Sequence, residues 1–556
     1  MLGNSADAEL PHLPLGRVCA PVCDAMANPA ATRELDPSTL RDSIIARLPH
    51  RSHSEAKLRL PAIPALLDHY AQVLTTLFAG LGNKFDADET ALLREILERE
   101  LRAGFDASPF SKLVISVRSE TPPETGVRYE IQHEVITLTD EYDEWVRSRT
   151  PPLFGAHPDA KLLSLAHALG TPSEVCVLDV GAGTGRNTLP LAREGFRIDA
   201  VELAPSLAEV LRNELAQTGL SARVFEGDAL DPRLGVPAET YRLVVLAEVV
   251  ASHFRSVAEL RKLFERAAEW LVPGGLLVFS AFVANDDYEP DQLAKQASQV
   301  FWSCLFTRPE VEGAIRGLPF ERISDESCYA FEHKNLPAQA WPPTGWFAQW
   351  SRGHDLFALP AGKPPHELRW LVYRRTDGRA HLGEKVHEAI AARQIGAPRE
   401  RVFEAVCDPK RAARWFLPFM PVPGIASCEP FDSAQPRTRR RVRWTDDSVT
   451  HEELIASEAP LRLSYAWTNT LKGPLALLFR RAESDWMFAP TPSGTSVYWT
   501  YRFEPRYRVL APLMRIAQGG FQRWMRASLQ RLQAALEEAS REERAGTHGV
   551  EQGVSG

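Results

Sequence analysis

The chain has 556 residues, 44% of them hydrophobic and 24% charged, with a formal net charge of −8. Its length and composition fit a globular protein of two to four domains, and its acidic balance argues against wholesale binding to nucleic acid or to an anionic membrane. No apolar run approaches the ~18–20 residues of a membrane span, and the N-terminal stretch lacks the basic start and continuous apolar core of a secretory signal. Seven scattered cysteines argue for reduced thiols and a cytoplasmic location rather than a disulfide framework. Cys19 and Cys23 are close enough for half of a metal site, but no second Cys/His pair accompanies them, so no metal is expected.

Residues 1–56 are rich in Pro, Ala, Asp and Ser and read as a mostly disordered leader with one short helix at 38–48. Residues 57–105 read as helical. Leu66, Leu67, Tyr70, Val73, Leu74, Leu77 and Phe78 recur near a 3.6 period, and a second amphipathic stretch follows with Asp88 as a candidate N-cap. "KLVISVRSE" and "VRYEIQHEVITL" read as a strand pair, so 57–150 forms a small α+β module. From 151 to 376 strands alternate with helices, which points to a parallel sheet covered on both faces. The strands fall at 175–180, 197–203, 222–227, 242–249 and 276–283, and the helices at 158–169, 185–194, 205–218 and 256–271. Two later strands are expected at 320–332 and 367–375. Between them lies an insert with Trp341, Trp346, Phe347, Trp350 and Phe357. A polar, Gly-containing linker occupies 377–385. Residues 386–540 then show one strand, a helical stretch with Pro398 in an N1-like place, a run of strands and a long C-terminal helix. The tail 541–556 is expected to be disordered.

The chemistry begins at "VLDVGAGTGRN", Val177 to Asn187, where a strand ends in an acid and three glycines at alternate positions follow. No Lys follows Gly185, which removes a Walker-type phosphate loop. Gly181 and Gly183 begin a dinucleotide pattern that Arg186 breaks at its third position, leaving that reading damaged but open. The D-x-G-x-G-x-G arrangement resembles motif I of the class I S-adenosylmethionine-dependent methyltransferases, and the resemblance extends in register over 151–376. Glu202 ends the next strand, where the family places an acid on the ribose hydroxyls. Asp228 ends the third strand, where the family's acid meets the adenine amino group, with Asp231 as a near alternative. "LVVLAEVV" corresponds to strand four, whose end faces the donor methyl. "LVPGGLLVFSAF" corresponds to strand five, and the later strand pair to an antiparallel 6/7 hairpin. The resemblance implies a Rossmann-like seven-stranded α/β sheet and S-adenosyl-L-methionine as cofactor. The donor would be held by Asp179, Gly181, Ala182, Gly183, Gly185, Glu202, Leu203, Asp228, Ala229 and Ala247. A sulfonium donor without phosphate also agrees with an acid, Asp179, at the start of the loop.

Methyl transfer is an in-line displacement in which the protein mainly aligns nucleophile and methyl, and only a weak acceptor such as a phenol needs a general base. Glu248 and His253 in "AEVVASHF" lie near the implied donor site and are the candidate catalytic residues. In oxygen-methylating relatives a His in this neighbourhood often serves as base. The Asn/Asp-Pro-Pro-Tyr box of many amino-methylating members is missing, which counts against methylation of DNA or glutamine amides. Tyr142, Trp145, Phe154 and His157 before the domain, and the aromatic insert, are candidate walls of an acceptor pocket or ordinary packing.

Residues 386–540 resemble the START-like superfamily of polyketide cyclases, aromatases and coenzyme Q-binding proteins. The resemblance rests on the first strand, the early helix pair in "APRERVFEAVCDPKRAARWF", the antiparallel strands and the long last helix. It implies an α+β helix-grip fold in which Trp444, Tyr465, Trp467, Trp486, Tyr498, Trp499 and Tyr501 supply core or cavity lining. Arg439, Arg441 and Arg443 share one strand face, either solvated or turned to an anionic partner. The whole reads as an enzyme that methylates a small, apolar or aromatic metabolite, with the second domain binding or shaping the ligand. No nucleic-acid partner and no stable membrane insertion are expected. The alternatives are an apolar-ligand transport or cyclase-type protein whose methyltransferase fold senses the donor, and a protein methyltransferase with a docking domain.

Overall fold

The computed structural model describes residues 36–47, 55–120, 126–359, 361–376, 387–430, 438–473, 475–507 and 511–551. Most of the expected leader, including Cys19 and Cys23, lies outside the described residues, as do the linker 377–385 and the last five positions. Contacts divide the chain into two units, 1–144 with 290–300, and 145–289 with 301–556.

The first unit contains α1 (Pro37–Arg47), β1 (Glu55–Pro61), α2 (Leu67–Gly80), α3 (Ala87–Ala107), β2 (Lys112–Ser119) and β3 (Val127–Glu134), and α4 (Leu138–Ser148) follows. The stretch expected to be helical from 57 opens with a strand instead. Leu58 and Leu60 alternate with charged residues, and β1 pairs antiparallel with β2 from Glu55 opposite Arg118 to Pro61 opposite Lys112. The N-cap of α3 is Asp86 rather than Asp88. Its carboxylate accepts from Glu89 N (2.8 Å) while Glu89 reaches back to Asp86 N (2.9 Å), and Asp88 sits in the first turn, where its charge favours the helix dipole. Leu93, Leu97 and Leu101 pack with Leu74, Phe78, Leu113 and Ile115 in one core. Residues 290–300 join this unit, Ala65 N donating to Gln296 Oε1 at 2.8 Å.

The first half of the second unit runs α5 (Ala160–Ala168), β4 (Cys176–Val180), α6 (Thr188–Arg193), β5 (Arg197–Glu202), α7 (Pro205–Thr218), β6 (Arg223–Glu226), β7 (Tyr241–Leu246), α8 (Val249–His253), α9 (Val257–Trp270) and β8 (Leu271–Ala284). After α10 (Gln292–Val300), which belongs to the first unit, come β9 (Leu305–Phe306), α11 (Arg308–Ile315), β10 (Phe320–Ser327), α12 (Cys328–Asn335), α13 (Phe347–Trp350) and β11 (His366–Arg375). The sheet order is β10-β11-β8-β7-β4-β5-β6, with β9 beside β8. β6, β5, β4, β7 and β8 are parallel, while β11 runs antiparallel to both β8 and β10. This is the class I methyltransferase sheet with its antiparallel last hairpin. The chain reverses its winding direction between β4 and β7, and ligands of open α/β sheets bind at the carboxyl ends of the strands flanking such a point. The strand expected to reach 332 stops at Ser327, whose hydroxyl accepts from Ala330 N and starts α12.

The second half contains β12 (His387–Ile395), α14 (Arg399–Cys407), α15 (Ala412–Trp415), β13 (Ile425–Cys428), β14 (Arg439–Trp444), β15 (Val449–Glu458), β16 (Arg462–Thr468), α16 (Leu475–Leu478), β17 (Phe479–Thr491), β18 (Gly494–Pro505) and α17 (Ala511–Glu551). The sheet is antiparallel throughout, in the order β12-β18-β17-β16-β15-β14-β13, and it curls around α17 in a helix-grip arrangement. Pro398 is the N-cap of α14 rather than its first residue. Helix α17 continues beyond the expected domain end at 540, through a Glu/Arg/Ala-rich run of high helix propensity. On β14 the expected alternation holds: Arg439, Arg441 and Arg443 are exposed, while Arg440 is buried and pairs with Glu452 at 2.6 Å.

The period of two sorts the aromatic residues of β17 and β18. Trp486, Phe488, Trp499 and Tyr501 face α17, where Trp486 and Trp499 stack with centroids 4.0 Å apart and Trp524 closes on Trp499 at 5.4 Å. Trp444, Tyr465 and Trp467 join the same core. Met487, Ala489 and Tyr498 point to the opposite face and pack in the core of the first half, with Leu162, Leu165 and Trp370. Buried ions cross the same seam. Lys161, with no exposed surface, donates to Tyr498 Oη at 2.7 Å and pairs with Glu326; Arg374 pairs with Asp485 and, at 3.2 Å, with Glu321. The C-terminal domain is therefore built onto the α/β domain through packed apolar side chains and buried charged contacts.

Candidate functional site

Beyond Val180 the chain leaves the sheet with Gly181, Gly183 and Gly185 all at positive φ (74°, 56° and 94°). The loop is pinned to the neighbouring strand: Gly181 N and Ala182 N both donate to Val201 O (2.7 and 3.1 Å), and Gly183 N donates to Glu202 Oε2 (2.7 Å). The other Glu202 oxygen accepts from Ala204 N at 2.9 Å, so this acid at the end of β5 braces both loops. Burial raises its pKa above the ordinary carboxylate value. Leu203 next to it is 42% exposed over the same crevice edge. Gly227 N donates to Glu202 O at 2.9 Å, which brings Asp228 and Ala229 to this edge; Asp228 is exposed and accepts from Leu230 N. The alternative acid, Asp231, is engaged with Arg233 at 2.8 Å and held down to about 2 by that partner.

Beneath the loop lies a concentration of buried acids around one cation. Asp179 accepts from Thr188 Oγ1 at 2.7 Å, and burial pushes its carboxyl up to about 6, with Asp159 and Glu202 adding repulsion. Arg186 donates to both oxygens of Asp159 (2.9 and 3.1 Å) and to Glu248 Oε1 (2.9 Å). Asn187 exchanges two further hydrogen bonds with Asp159. Glu248 follows β7 and Ala247 in a left-handed conformation (φ 62°), its N–H donating to Ser280 Oγ at 2.7 Å. Burial raises its pKa as well. A non-glycine residue held in that region costs of order 1–3 kcal/mol, a cost that concentrates at functional sites.

A row of rings leads away from the loop. A Cβ on Gly183 would stand 3.1 Å from the Phe154 ring. Phe154 lies 6.1 Å from Trp145, Trp145 lies 4.9 Å from Trp302, and Trp302 meets His253 edge-on at 5.7 Å. Trp302 is itself left-handed (φ 55°), and its carbonyl accepts from Trp350 Nε1 at 3.1 Å. His253 is held neutral by burial, its pKa lowered to about 4. Of the aromatic insert, Phe347 and Trp350 are buried core, while Pro343 meets Gly155, where a Cβ would come within 2.5 Å of its carbonyl.

Residues 177–275 match a methyltransferase domain family, and residues 386–537 match the family described as polyketide cyclase/dehydrase and lipid transport. The chain carries a class I methyltransferase domain followed by a START-like domain. Curated relatives include a demethylmenaquinone methyltransferase of Tropheryma whipplei, 30% identical over 20% of this chain and 44% of its own length. The small-subunit ribosomal RNA methyltransferase C of Alcanivorax borkumensis is 30% identical over 20% of this chain and 33% of its own. The sterol 4-C-methyltransferase strm-1 of Caenorhabditis elegans is 27% identical over 34% and 60%. The chain thus spans from a third to three fifths of the length of these relatives. A solved geranyl diphosphate methyltransferase in complex with GPP and sinefungin aligns with 39% of this chain and 76% of its own, at 16% identity and a TM-score of 0.31. The relatives' names cover a quinone, an RNA and a sterol.

Within the methyltransferase domain, the loop glycines, Asp179, Glu202 and Glu248 converge at the carboxyl ends of β4, β5 and β7. His253 stands further along the row of rings, at the end of α8. Sequence reasoning treated Arg186 as a defect in a glycine pattern, whereas it is the cation around which two buried acids are arranged. It also passed over Asp159, Trp302 and Lys161. A basic residue directly inside a glycine loop, flanked by acids at strand ends, was the available signal for the first. The other three are joined to the site by contacts distant in sequence.

Proposed function

We propose that the protein is an S-adenosylmethionine-dependent methyltransferase acting on a small apolar or aromatic molecule. The observation that carries this reading is the charge of the site: Asp159 and Glu248 pair with Arg186, and Asp179 and Glu202 stand beside them mostly buried, a set of four acids with one cation among the described residues that suits a cationic ligand and repels a phosphate. S-adenosylmethionine supplies an electrophilic methyl on a sulfonium, and its amino group adds a second positive centre. In this reading Gly181, Ala182, Gly183 and Gly185 give the backbone approach. Glu202 with Leu203 holds the ribose side, Asp228 with Ala229 the adenine side, and Ala247 borders the methyl. Asp228 is preferred over Asp231 because Arg233 already occupies the latter. Glu248 is a positioning residue that acts through Arg186. The row Phe154, Trp145, Trp302 and His253 forms the apolar wall for the acceptor, and the packed seam between the two domains favours a C-terminal domain that shapes this site over one that delivers ligand on a tether. Calorimetry with S-adenosylmethionine and with NAD tests the donor; NAD binding without donor binding overturns the reading. Transfer of labelled methyl into small-molecule extract, followed by identification of the product, tests the acceptor class.

Two predictions arise here. A cation bound beside Asp179 favours its charged form. With the free-state value near 6, donor binding at about pH 6 releases up to about half a proton and weakens as the pH falls further, whereas at pH 8 the carboxyl is already ionised and release vanishes. Calorimetry in two buffers of different ionisation enthalpy reads the proton count, and Asp179→Asn removes the pH 6 release. His253, neutral down to about pH 4, is a weak base that serves as hydrogen-bond partner of a hydroxyl acceptor. His253→Phe is expected to lower kcat about 10²-fold on such an acceptor while leaving donor affinity unchanged, and the wild-type rate contributes no histidine step between pH 6 and 9. An ascending limb near pH 6.5 that disappears in the variant contradicts this assignment.

A further inference from the structure

At the end of the helix-grip sheet where β14, β16 and β18 finish, three connections surround the first turns of α17. The chain between α15 and β13 closes a tight turn there, Phe419 N donating to Val422 O at 2.9 Å and Val422 N to Phe419 O at 2.8 Å. This turn is fixed on α17: Trp524 Nε1 donates to Leu417 O at 3.0 Å, and a Cβ on Gly520 would stand 2.6 Å from Pro421 Cδ. The β14–β15 turn joins it to the third connection, with Thr445 N donating to Gly424 O at 2.8 Å and Lys472 N to Asp446 Oδ2 at 3.3 Å. In that third connection α16 packs on α17, and Phe479 just after it meets Phe521 edge-on at 5.8 Å. The backbone is thus held firmly, yet large apolar side chains point outward. Met420, at the tip of the tight turn, is 86% exposed, Leu477 on α16 is 61% and Leu513 on α17 is 47%; Leu417 and Phe419 are exposed as well. Phe416, Leu475 and Met514 on the same segments supply the core contacts. A concentration of exposed apolar side chains on well-ordered segments marks an interaction surface. The charges around it are mostly positive. Arg414, Lys472, Arg506 and Arg523 are exposed and form no ion pair among the described residues. Of the acids on these connections and the adjoining strand ends, Glu504 pairs with Arg480 and Asp446 accepts from Ser448 N at 3.0 Å, which leaves Asp447.

We propose that this end of the domain docks on an anionic lipid bilayer. Met420, Phe419, Leu477 and Leu513 enter the layer between headgroups and acyl chains, and Arg414, Lys472, Arg506 and Arg523 meet the headgroup phosphates. A bilayer supplies both halves of what this surface presents. One is an apolar layer without directional hydrogen bonds, which suits a turn whose backbone groups are already paired. The other is a sheet of mobile anions for cations that have no fixed partner. The chain as a whole carries a net charge of −8, so attraction to such a surface is confined to this end and fixes the orientation. No helix among the described residues is long and apolar enough to cross a membrane, so the contact is peripheral and weakens with salt. Docking would bring the enzyme to the phase in which an apolar acceptor dissolves; that consequence rests on the proposed methyltransferase reading, whereas the docking does not.

The test is co-sedimentation of the full-length protein with vesicles of phosphatidylcholine alone and with vesicles containing about 30% phosphatidylglycerol. Wild type is expected to partition at least about tenfold more strongly onto the anionic vesicles, and to lose that preference in about 0.5 M salt. Met420→Glu, and separately Leu477→Glu, each lower partitioning by about tenfold or more. The double variant Lys472→Glu with Arg523→Glu removes the preference for the anionic vesicles. Ile455→Glu is the control: Ile455 is 52% exposed on β15, away from this end, and its variant partitions as wild type does. All of these side chains are exposed, so unchanged thermal midpoints are expected, and the two single variants keep the proposal testable if one fails to fold. Absence of sedimentation with either vesicle up to about 1 mM lipid overturns the proposal. So does anionic binding that survives Met420→Glu and Leu477→Glu, or that falls equally in Ile455→Glu. A lipid-free dimer that Met420→Glu dissociates overturns it too, because a second copy of the chain then covers this surface. None of these readouts involves S-adenosylmethionine, so the docking surface and the methyltransferase reading can fail separately.

Discussion

Gly183→Val is expected to weaken donor binding 30- to 1,000-fold while leaving the fold intact. Three effects act together at this position. The backbone sits at φ 56°, in the left-handed region that a β-branched residue rarely adopts, at a cost of order 1–3 kcal/mol. A Cβ would stand 3.1 and 3.2 Å from two atoms of the Phe154 ring, so the ring must move or the loop must lift. If the loop lifts, the hydrogen bond from Gly183 N to Glu202 lengthens and the loop loses its brace on the end of β5. A net loss of about 2–4 kcal/mol in the donor-competent geometry corresponds to that range of affinity. Gly185→Ala provides the contrast. Its Cβ would meet Leu211 at 2.6 Å and Leu189 at 2.9 Å, behind the loop in the helix packing, so its damage should appear as a lower thermal midpoint. Isothermal titration of S-adenosylmethionine together with thermal unfolding separates the two. Unchanged donor affinity in Gly183→Val would mean that the ligand sits elsewhere than over this loop.

Long periodic segments and strand-ending acids were legible in the sequence because they are local. The sheet order of the methyltransferase domain follows once the first strand is recognised by its loop, and α7, α9 and the five parallel strands fall close to their expected positions. The short helices α8, α12 and α13 were not legible, since helices of 4–8 residues are stabilised by tertiary packing and capping rather than by their own periodicity. Strand β1 was missed because only Leu58 and Leu60 mark its alternation, and its pairing partner lies some fifty residues away. The same distinction governs the site. Glu202 and the glycines announce themselves by spacing, whereas the aromatic wall depends on Trp302 meeting Trp145 and His253 across more than forty residues. In the START-like domain the seven aromatic residues were recognised as core or lining, but only the register of β17 against β18 sends Tyr498 outward to Lys161 while its neighbours Val497 and Trp499 face the helix.

The second large effect is expected at Arg186. Replacing it by Met preserves much of the side-chain volume and removes the charge, leaving Asp159 and Glu248 beneath the glycine loop without their shared partner. Breaking a buried ion pair from one side costs about 3–5 kcal/mol, more than the pair itself contributes, because the remaining charge stays desolvated. The sign of the pH dependence follows from Glu248. Burial already raises its pKa, and Arg186 is the group that lowers it; without the arginine the folded-state value rises further above the unfolded one. A carboxyl whose folded pKa is raised destabilises the fold when it must ionise, at pH above that value, and the penalty fades as the pH falls and the proton is retained. The deficit of Arg186→Met relative to wild type is therefore largest near pH 8 and smaller near pH 5.5, as read by urea unfolding at both. Adding Asp159→Asn to Arg186→Met is expected to recover about 1–2 kcal/mol at pH 8, although Asp159→Asn alone destabilises, since the amide removes a buried charge that no longer has a partner. A deficit of equal size at both pH values, or a double variant no more stable than Arg186→Met, would mean that Arg186 acts through packing alone and that the acids beneath the loop do not depend on it for charge balance.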